Sequence, residues 1–277
     1  MLHNKIMEKI LTMKLPLSNS EIHSYFVISD LHSHHLHLPT FNILLNHAKR
    51  YEECGLILNG DLFDLVFMMK KNPNYQKWIK RADGCETFFI PEWEKECQIV
   101  NLILDDLQKV FKKIIFINGN HDSLRIEEFV QTIPFEYRHH FDYRQALRLQ
   151  KRGITAVNYG VWLDVGDVSI IHGMYHNVNC HKTHHDECGK SVIFGHIHKG
   201  KMMPFKQRKK THHVWSLPCV STLCPEYNRK RTNDWDNGYG VLNVRNTGKF
   251  NFNLFIVDDD RLVLPTGEII HADSKVL

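Results

Sequence analysis

The chain has 277 residues, of which 43% are hydrophobic and 24% are charged, and its formal net charge is +4 with a pI of about 8.6. This composition is ordinary for a soluble globular protein, and the length suits one large α/β domain or two small ones. The mildly basic charge balance permits an anionic partner without requiring one.

The cysteines and the apolar runs bear on the expected compartment. Seven cysteines form an odd set without the spacing of a small disulfide domain, so we expect reduced thiols and a cytoplasmic protein. Residues 1–20 mix lysines and a glutamate into apolar positions, which is typical of a short surface helix and not of a signal peptide. No apolar run is long enough to cross a bilayer, so no membrane association is expected.

Strands and helices alternate as far as residue 198, a pattern that predicts βαβ units with largely parallel strands. We expect strands at residues 25–29, 55–59, 114–117, 154–163, 165–171 and 192–194. We expect helices at residues 40–51, 92–111, 123–130 and 181–188. Beyond residue 198 the pattern becomes β-rich, with strands expected at residues 213–217, 240–244 and 250–257.

The chain has no internal repeat, low-complexity tract or linker, so we predict a single domain over residues 1–277. Residues 1–22 are expected to be an N-terminal extension of this domain, and residues 199–277 its β-rich C-terminal part. Residues 70–84 are polar, and we expect an insertion or a loop with a short helix there.

Polar side chains follow the predicted strands at the points where these strands end, which is where open α/β sheets place their chemistry. They are Asp30 and His32, Asp61, Asn120 and His121, His172, and His196 and His198. Side chains two residues apart on an extended segment point the same way, so Asp30 with His32, and His196 with His198, can each offer two ligands to one place. Oxygen and nitrogen ligands without thiolates suit manganese, iron, zinc or nickel, and Asp61 has a free carboxylate edge that could bridge two ions.

Five motifs occur along the chain in a fixed order. They are Asp-Leu-His from Asp30, Gly-Asp-Leu-Phe-Asp from Gly60, Gly-Asn-His-Asp from Gly119, His-Gly from His172, and Gly-His-Ile-His from Gly195. In this order they resemble the calcineurin-like metallophosphoesterase superfamily, in a style closest to its DNA-repair exonuclease and phosphodiesterase branch. The resemblance implies an α/β fold: a four-layer sandwich of two facing mixed β-sheets flanked by helices.

The resemblance also implies a role for each polar residue. One metal ion would be held by Asp30, His32, Asp61 and His198, and a second by Asp61, Asn120, His172 and His196. His121 would be the general acid or the group that stabilises the transition state. Asp122 is expected to cap the following helix or to orient His121, with capping favoured.

The expected function is that of a two-metal-dependent phosphoesterase. A hydroxide that bridges two divalent ions would attack a phosphodiester bond in DNA, RNA or a nucleotide, and His121 would protonate the leaving oxygen. Manganese is the expected metal, with iron, zinc or nickel as alternatives. The alternatives for function are a phosphomonoesterase acting on a small molecule or a phosphoprotein, and a scaffold without catalysis, which the intact ligand set argues against.

The resemblance and the charge pattern favour a diester substrate. Phosphoprotein phosphatases of this superfamily carry an arginine shortly after the bridging aspartate, whereas Asp61 is followed by residues 62–66 without one. A basic run follows the last ligand pair, and it would hold a polyanion or form a solvated hairpin tip. Its members are Lys199, Lys201, Lys206, Arg208, Lys209 and Lys210.

Two further groups have an ordinary and a functional interpretation. Tyr227 and Trp235 lie in a segment that resembles phage-encoded members of the superfamily, and either could stack on a base, although packing is the simpler interpretation. Cys180, His184 and Cys188 share one side of a predicted helix, which permits a zinc site but is also explained by helix packing.

Overall fold

The computed structural model describes residues 11–17, 22–207, 210–225 and 233–272. The strands are β1 (Thr12–Lys14), β2 (Ile22–Ile28), β3 (Gly55–Asn59), β4 (Lys113–Ile117), β5 (Thr155–Val157), β6 (Trp162–Val165), β7 (Val168–Ile171), β8 (Ser191–Phe194), β9 (Lys201–Gln207), β10 (Lys210–Ser216), β11 (Asn237–Arg245), β12 (Phe250–Val257), β13 (Arg261–Val263) and β14 (Ile269–His271). The helices are α1 (Leu38–Ala48), α2 (Pro73–Trp78), α3 (Ile90–Val110), α4 (Ile126–Val130), α5 (Tyr143–Ala146) and α6 (Cys180–Cys188).

Most strands belong to two six-stranded mixed sheets. The first has the order β12-β11-β2-β3-β4-β5, and the second has the order β1-β6-β7-β8-β10-β9. Strands β2 to β5 are parallel to one another, as are β7, β8 and β10, whereas β11, β12 and β9 pair antiparallel. The β-rich C-terminal part therefore contributes strands to both sheets. That the whole chain forms a single domain stays a prediction.

The alternation of side chains along the strands produces four layers. In β3, Leu56 faces the helices α1 and α3, while Ile57 faces the second sheet. In β8, Ile193 belongs to the same core cluster between the sheets as Ile57, whereas Phe194 belongs with Trp162 to the cluster that includes Cys180 of α6. The predicted α/β sandwich of two facing mixed sheets flanked by helices is confirmed.

Two sequence predictions of secondary structure are wrong. The segment 154–163 is not one strand: β5 joins the first sheet and β6 the second, because the chain turns at Asn158, whose carbonyl accepts the amide of Val161 at 3.1 Å. Residues 12–14 of the expected N-terminal helix form β1, which pairs in parallel with β6 and covers its open edge. The rest of that expected helix lies outside the described residues.

The helix that was expected at 123–130 has two parts. A π-helical turn, His121–Arg125, precedes α4, and a similar turn, Cys85–Phe89, precedes α3. Wide turns of this kind are frequent at functional sites. Within the described part of the chain, no helix is both long enough and apolar enough to span a membrane.

Candidate metal centre

The turns that follow β2, β3 and β8 have an unusual backbone. Asp30, His32, Asp61, His196 and His198 all have positive φ, between 49° and 72°. Residues other than glycine rarely adopt this left-handed backbone conformation. Residues that are held in it cluster at functional sites. The turns are fastened to one another, because the amide of Asp30 donates to Gly60 at 3.0 Å and that of His32 to Asp61 at 2.9 Å.

Two glycines allow these turns to lie close together. A β-carbon on Gly119 would come within 2.1 Å of the Asp61 carboxylate, and one on Gly60 within 2.2 Å of the His172 ring. Both distances are far shorter than any carbon contact, so only glycine fits. The glycines of the second and third motifs therefore serve the approach of ligand side chains to the backbone.

Asp30, His32 and His198 form a first donor group. Each offers one ligand atom, and these atoms all lie within 4.8 Å of one another. The Nε2 atoms of His32 and His198 are 3.3 Å apart, and His198 Nε2 is 3.2 Å from Asp30 Oδ1. The other Asp30 oxygen accepts the backbone amide of His196 at 2.9 Å, which fixes the carboxylate.

Asp61, His172 and His196 form a second donor group, again with ligand atoms within 4.8 Å of one another. His172 Nε2 lies 3.3 Å from Asp61 Oδ2 and 3.2 Å from Asn120 Oδ1. His172 Nδ1 donates to the carbonyl of Asn59 at 2.7 Å, which leaves Nε2 directed at the group. Such a hydrogen bond from the remote nitrogen is the usual means of orienting a metal-binding histidine.

The two donor groups are linked through Asp61, which lies near His32 of the first group and belongs to the second. A third set of converging donors consists of His32, Asp61 and His121, so Asp61 has ligand atoms on both sides. The Nε2 atom of His121 is 3.9 Å from Asp61 Oδ2. The structure thus brings all eight side chains that were singled out from the sequence into one cluster, the candidate metal centre. Which of them bind metal stays a prediction.

The centre contains buried carboxylates and buried ring nitrogens, and several of these atoms have no hydrogen-bond partner within the described part of the chain. Asp30 and Asp61 are 0% and 2% exposed. Within the described part of the chain, Asp30 Oδ1, His32 Nδ1, His121 Nδ1 and His198 Nδ1 are buried and make no hydrogen bond. Burial of a carboxylate is strongly unfavourable unless a positive charge compensates it. The donor set fits divalent ions that prefer oxygen and nitrogen ligands.

The pKa shifts of the buried groups also indicate that the centre favours positive charge. Burial alone would raise the pKa of Asp30, but His198 and His172 outweigh it and hold that pKa below its usual range. Burial would lower the pKa of His198, yet Asp30 raises it to about 10, and Asp61 likewise raises the pKa of His172 to about 9. The buried carboxylates therefore draw positive charge into the centre. A bound cation would replace these protons.

His121 has a different environment. Burial lowers its pKa to about 3, with further lowering by His32 and Arg125, although Asp61 and Asp64 raise it. Nη2 of Arg125 lies 2.9 Å from Nε2 of His121, and the same guanidinium donates to the backbone carbonyl of Asp64. The imidazole is therefore neutral and accepts a hydrogen bond from Arg125. This contact was not predicted from the sequence.

Two buried carboxylates outside the predicted set support the centre. Asp64 Oδ1 lies 3.3 Å from His32 Nδ1, and Asp64 Oδ2 lies 3.5 Å from His35 Nε2. Glu96 accepts the amides of Asp64 and Leu65 at 2.6 and 3.0 Å. Asp64 could have been found from its place in the second motif. Glu96 could have been suspected because it is a carboxylate on the buried face of α3.

Asp122 has another role than the one predicted. Its Oδ1 accepts the amides of Leu62 and Phe63, each at 3.0 Å, and its Oδ2 accepts the amide of Gly119 at 2.8 Å. It therefore ties the turn after β3 to the turn after β4. The prediction of a helix cap is wrong, because the buried carboxylate is used to hold these two turns together.

The other candidates have ordinary environments. In His184, Nδ1 donates to the carbonyl of Cys180 at 2.8 Å and Nε2 accepts the amide of Met174 at 3.2 Å. Among the described residues, no converging donor set includes Cys180, His184 or Cys188, so helix packing explains their spacing. Trp235 packs on the candidate ligand His198 with ring centres 4.2 Å apart. Tyr227 lies outside the described residues.

The basic run is divided by the hairpin of β9 and β10. Lys199 and Lys201 line a groove beside His196, close to the centre. Lys206 lies near the other end of β9, about 17 Å further along the strand at roughly 3.3 Å per residue. Lys210 pairs with Gln207 at that far end, and Arg208 and Lys209 lie outside the described residues. Among the described members of the run, only Lys199 and Lys201 are thus near the centre.

No protein-family model matches the chain, and no curated protein matches it significantly. Similar solved structures include a single mutant of Vps29 from Entamoeba histolytica, at 9% identity and a TM-score of 0.44, with 86% of this chain and 94% of that chain covered. Vacuolar protein sorting 29 from Cryptosporidium parvum is similar at 12% identity and a TM-score of 0.43, with coverage of 91% and 97%. NAD nucleotidase from Haemophilus influenzae is similar at 10% identity and a TM-score of 0.37, with coverage of 90% and 53%. Function is therefore inferred from the side chains of the centre.

Proposed function

We propose that the protein is a phosphoesterase that depends on two divalent metal ions, of which manganese is the expected one. The observation that carries this proposal is the junction of the two donor groups at one buried carboxylate, Asp61. Asp30, His32, Asp61 and His198 would hold one ion, and Asp61, Asn120, His172 and His196 the other. The same motifs give the resemblance to calcineurin-like metallophosphoesterases.

Two divalent ions, when bound here, supply Lewis-acid chemistry: they activate water and neutralise the charge of a phosphate. The chain's own residues prepare the place for them. Asn59 orients His172 through its carbonyl, and Asp64 lies against the remote nitrogen of His32. Such outer partners raise the basicity of the ligand nitrogens and fix the rings. The centre is thus formed by the fold before substrate arrives.

His121 is proposed to assist the leaving group. An anionic substrate competes with His121 for the guanidinium of Arg125, and this frees Nε2 to take up a proton from solvent, which is balanced by the proton that the attacking water releases. Asp64 Oδ1, 3.7 Å from Nδ1, then stabilises the imidazolium. His121 gives the Nε2 proton to the leaving oxygen and returns to the neutral form. General acids of this kind typically accelerate such a step by about 10²–10⁴-fold.

The proposed substrate is a phosphodiester in a nucleic acid or a nucleotide. Residues 62–66 after Asp61 contain no arginine, in contrast to the phosphoprotein phosphatases of the superfamily that the motifs resemble. Lys199 and Lys201 add positive charge beside the centre, where a phosphate backbone would lie.

A parallel activity screen tests the proposal. Manganese-loaded protein is given bis-p-nitrophenyl phosphate, p-nitrophenyl phosphate, and single- and double-stranded DNA and RNA. We expect diester cleavage to exceed monoester cleavage and to be lost in Asp61→Asn. Monoester cleavage without diester or nucleic-acid cleavage would favour the phosphomonoesterase. Metal binding without hydrolysis of any of these substrates would contradict the proposed activity.

A further inference from the structure

Two grooves are each lined by one side chain of the candidate metal centre. Groove one, with a volume of about 440 Å³, is lined by Lys70, Lys71 and Arg125, by the single carboxylate of Glu128, and by the candidate ligand Asn120. Three cations face one carboxylate there, so the groove is cationic. Arg125 links it to the centre, since its guanidinium lies 2.9 Å from the His121 ring.

Groove two has a volume of about 540 Å³ and is lined by Lys199, Lys201, Asp234, Trp235 and the candidate ligand His196. Lys199 forms an ion pair with Asp234, whereas Lys201 adds a further positive charge. Each groove has a volume within the roughly 300–1,000 Å³ of small-ligand sites, which suits a unit such as a nucleotide.

The grooves meet at the second candidate ligand set. Asn120, which lines groove one, lies 3.2 Å from the Nε2 atom of His172. The ring centre of His172 is 5.4 Å from that of His196, which lines groove two. The candidate ligand His172 thus lies between the two candidate ligands that line the grooves.

Each groove also exposes apolar surface. Leu124 lines groove one and is 40% exposed, and Val178 lines groove two and is 92% exposed. A side chain as exposed as Val178 gains from any apolar contact that a ligand brings. Cationic and apolar surface together suit the phosphates and the sugar and base of a nucleotide, rather than an inorganic anion.

We propose that the two grooves bind a single-stranded nucleic acid on both sides of its scissile phosphate, so that the substrate is a polymer and not a mononucleotide. This inference rests on the proposed function, because the candidate metal centre would be the place of cleavage. Lys70 and Lys71 contact phosphates on one side of the scissile bond, and Lys201 contacts them on the other.

The chain supplies matched controls for these lysines. Lys112 and Lys113 are also adjacent lysines, but they lie at the start of β4, at the opposite end of that strand from Asn120. Lys206 lies on β9 like Lys201, but near its far end. Each control removes the same charge from the protein without touching either groove.

Binding is measured by fluorescence anisotropy, with labelled oligothymidylate and oligouridylate and metal-free protein, over a series of salt concentrations. The slope of log K against log salt is negative, and each lost phosphate contact reduces its magnitude by about 0.7 for a single strand. We expect a decrease of about 1.4 for Lys70→Gln with Lys71→Gln and of about 0.7 for Lys201→Gln. Lys112→Gln with Lys113→Gln, and Lys206→Gln, should leave the slope as in the parent.

Hydrolysis by the manganese-loaded parent protein separates this inference from the proposed function. We expect kcat/KM to rise with oligonucleotide length and to exceed the value for a mononucleotide diester. Comparison of the DNA series with the RNA series shows which of the two nucleic acids is preferred. A parent that cleaves bis-p-nitrophenyl phosphate but shows no length dependence, or equal slopes for groove and control variants, would overturn the inference alone. Slopes as expected without hydrolysis of any ester would support the grooves and overturn the proposed function.

Discussion

Replacement of Asp64 by asparagine should weaken one metal site and spare the other. Asp64 is 5% exposed, and its Oδ1 lies 3.3 Å from the remote nitrogen of His32, a member of the first donor group. Burial would raise the pKa of Asp64, but the neighbouring imidazoles of His32 and His35 hold it well below its usual range, so the group is a carboxylate at neutral pH. Asp64→Asn therefore removes a negative charge that orients His32.

The expected loss follows from this position. Removal of a partner that orients a metal ligand typically costs 10–100-fold in metal affinity, which is about 1.4–2.7 kcal/mol. The second donor group has its own outer partner, the carbonyl of Asn59 on His172, and this is unchanged. Calorimetric titration with Mn²⁺ should therefore show one weakened and one unaltered binding step.

The control for this measurement is Asp83→Asn. Asp83 is an exposed carboxylate paired with Arg81, so the same charge is removed far from the centre. Both manganese steps should then resemble those of the parent. If Asp64→Asn changes neither step by more than about threefold, or weakens both equally, then His32 does not depend on Asp64 in the way that its geometry indicates.

Three further outcomes are expected. Manganese loading, measured by elemental analysis, should approach about two equivalents, and Asp61→Asn should lose most of both. His121→Asn should keep the metal but lower kcat by about 10²–10⁴-fold, more for an alkoxide than for p-nitrophenolate, whereas His172→Asn should be partly rescued by excess Mn²⁺. Burial lowers the pKa of His47 to about 4, so the unfolded chain binds more protons in acid. His47 therefore contributes stability that is present above about pH 6.5 and is lost by about 2 kcal/mol at pH 5, and urea unfolding at several pH values should show this loss as the difference between the parent and His47→Gln.

The position of the candidate metal centre could be predicted from the sequence because it depends on strand ends. Asp30, Asp61 and Asn120 each follow a short buried strand, and β2, β3 and β4 are adjacent and parallel. Their carboxyl ends necessarily meet at one edge of the sheet. The roles of the individual ligands needed the resemblance to a family, because spacing alone does not assign a residue to one ion.

The support around the centre could not be predicted in the same way. Periodicity places Glu96 on the buried face of α3, but only the packing of that helix brings it to the amides of Asp64 and Leu65. The contact of Arg125 with His121 depends on the π-helical turn, which a helical pattern of 3.6 residues does not indicate. The basic run likewise looked continuous, although the hairpin carries Lys206 away from the centre.

The turn after β3 shows how the fold maintains a backbone that is unfavourable in isolation. Asp61 and Leu65, at the two ends of this turn, both have left-handed backbones, with φ of 52° and 54°. A left-handed conformation costs roughly 1–2 kcal/mol for an ordinary residue. The turn therefore needs interactions from outside itself to persist.

Those interactions come from two buried carboxylates. Asp122 accepts the amides of residues 62 and 63, and Glu96 accepts those of residues 64 and 65, so four consecutive amides are held from different elements. Burial raises the pKa of Glu96, and burial together with Asp61 raises that of Asp122 to about 7, yet the oxygens of both groups still serve as acceptors for these amides. Because the amides point outward to these acceptors, the turn presents the carboxylates of Asp61 and Asp64 toward the histidines. The arrangement of the candidate metal centre is thus built by α3 and the turn after β4 as much as by the ligands.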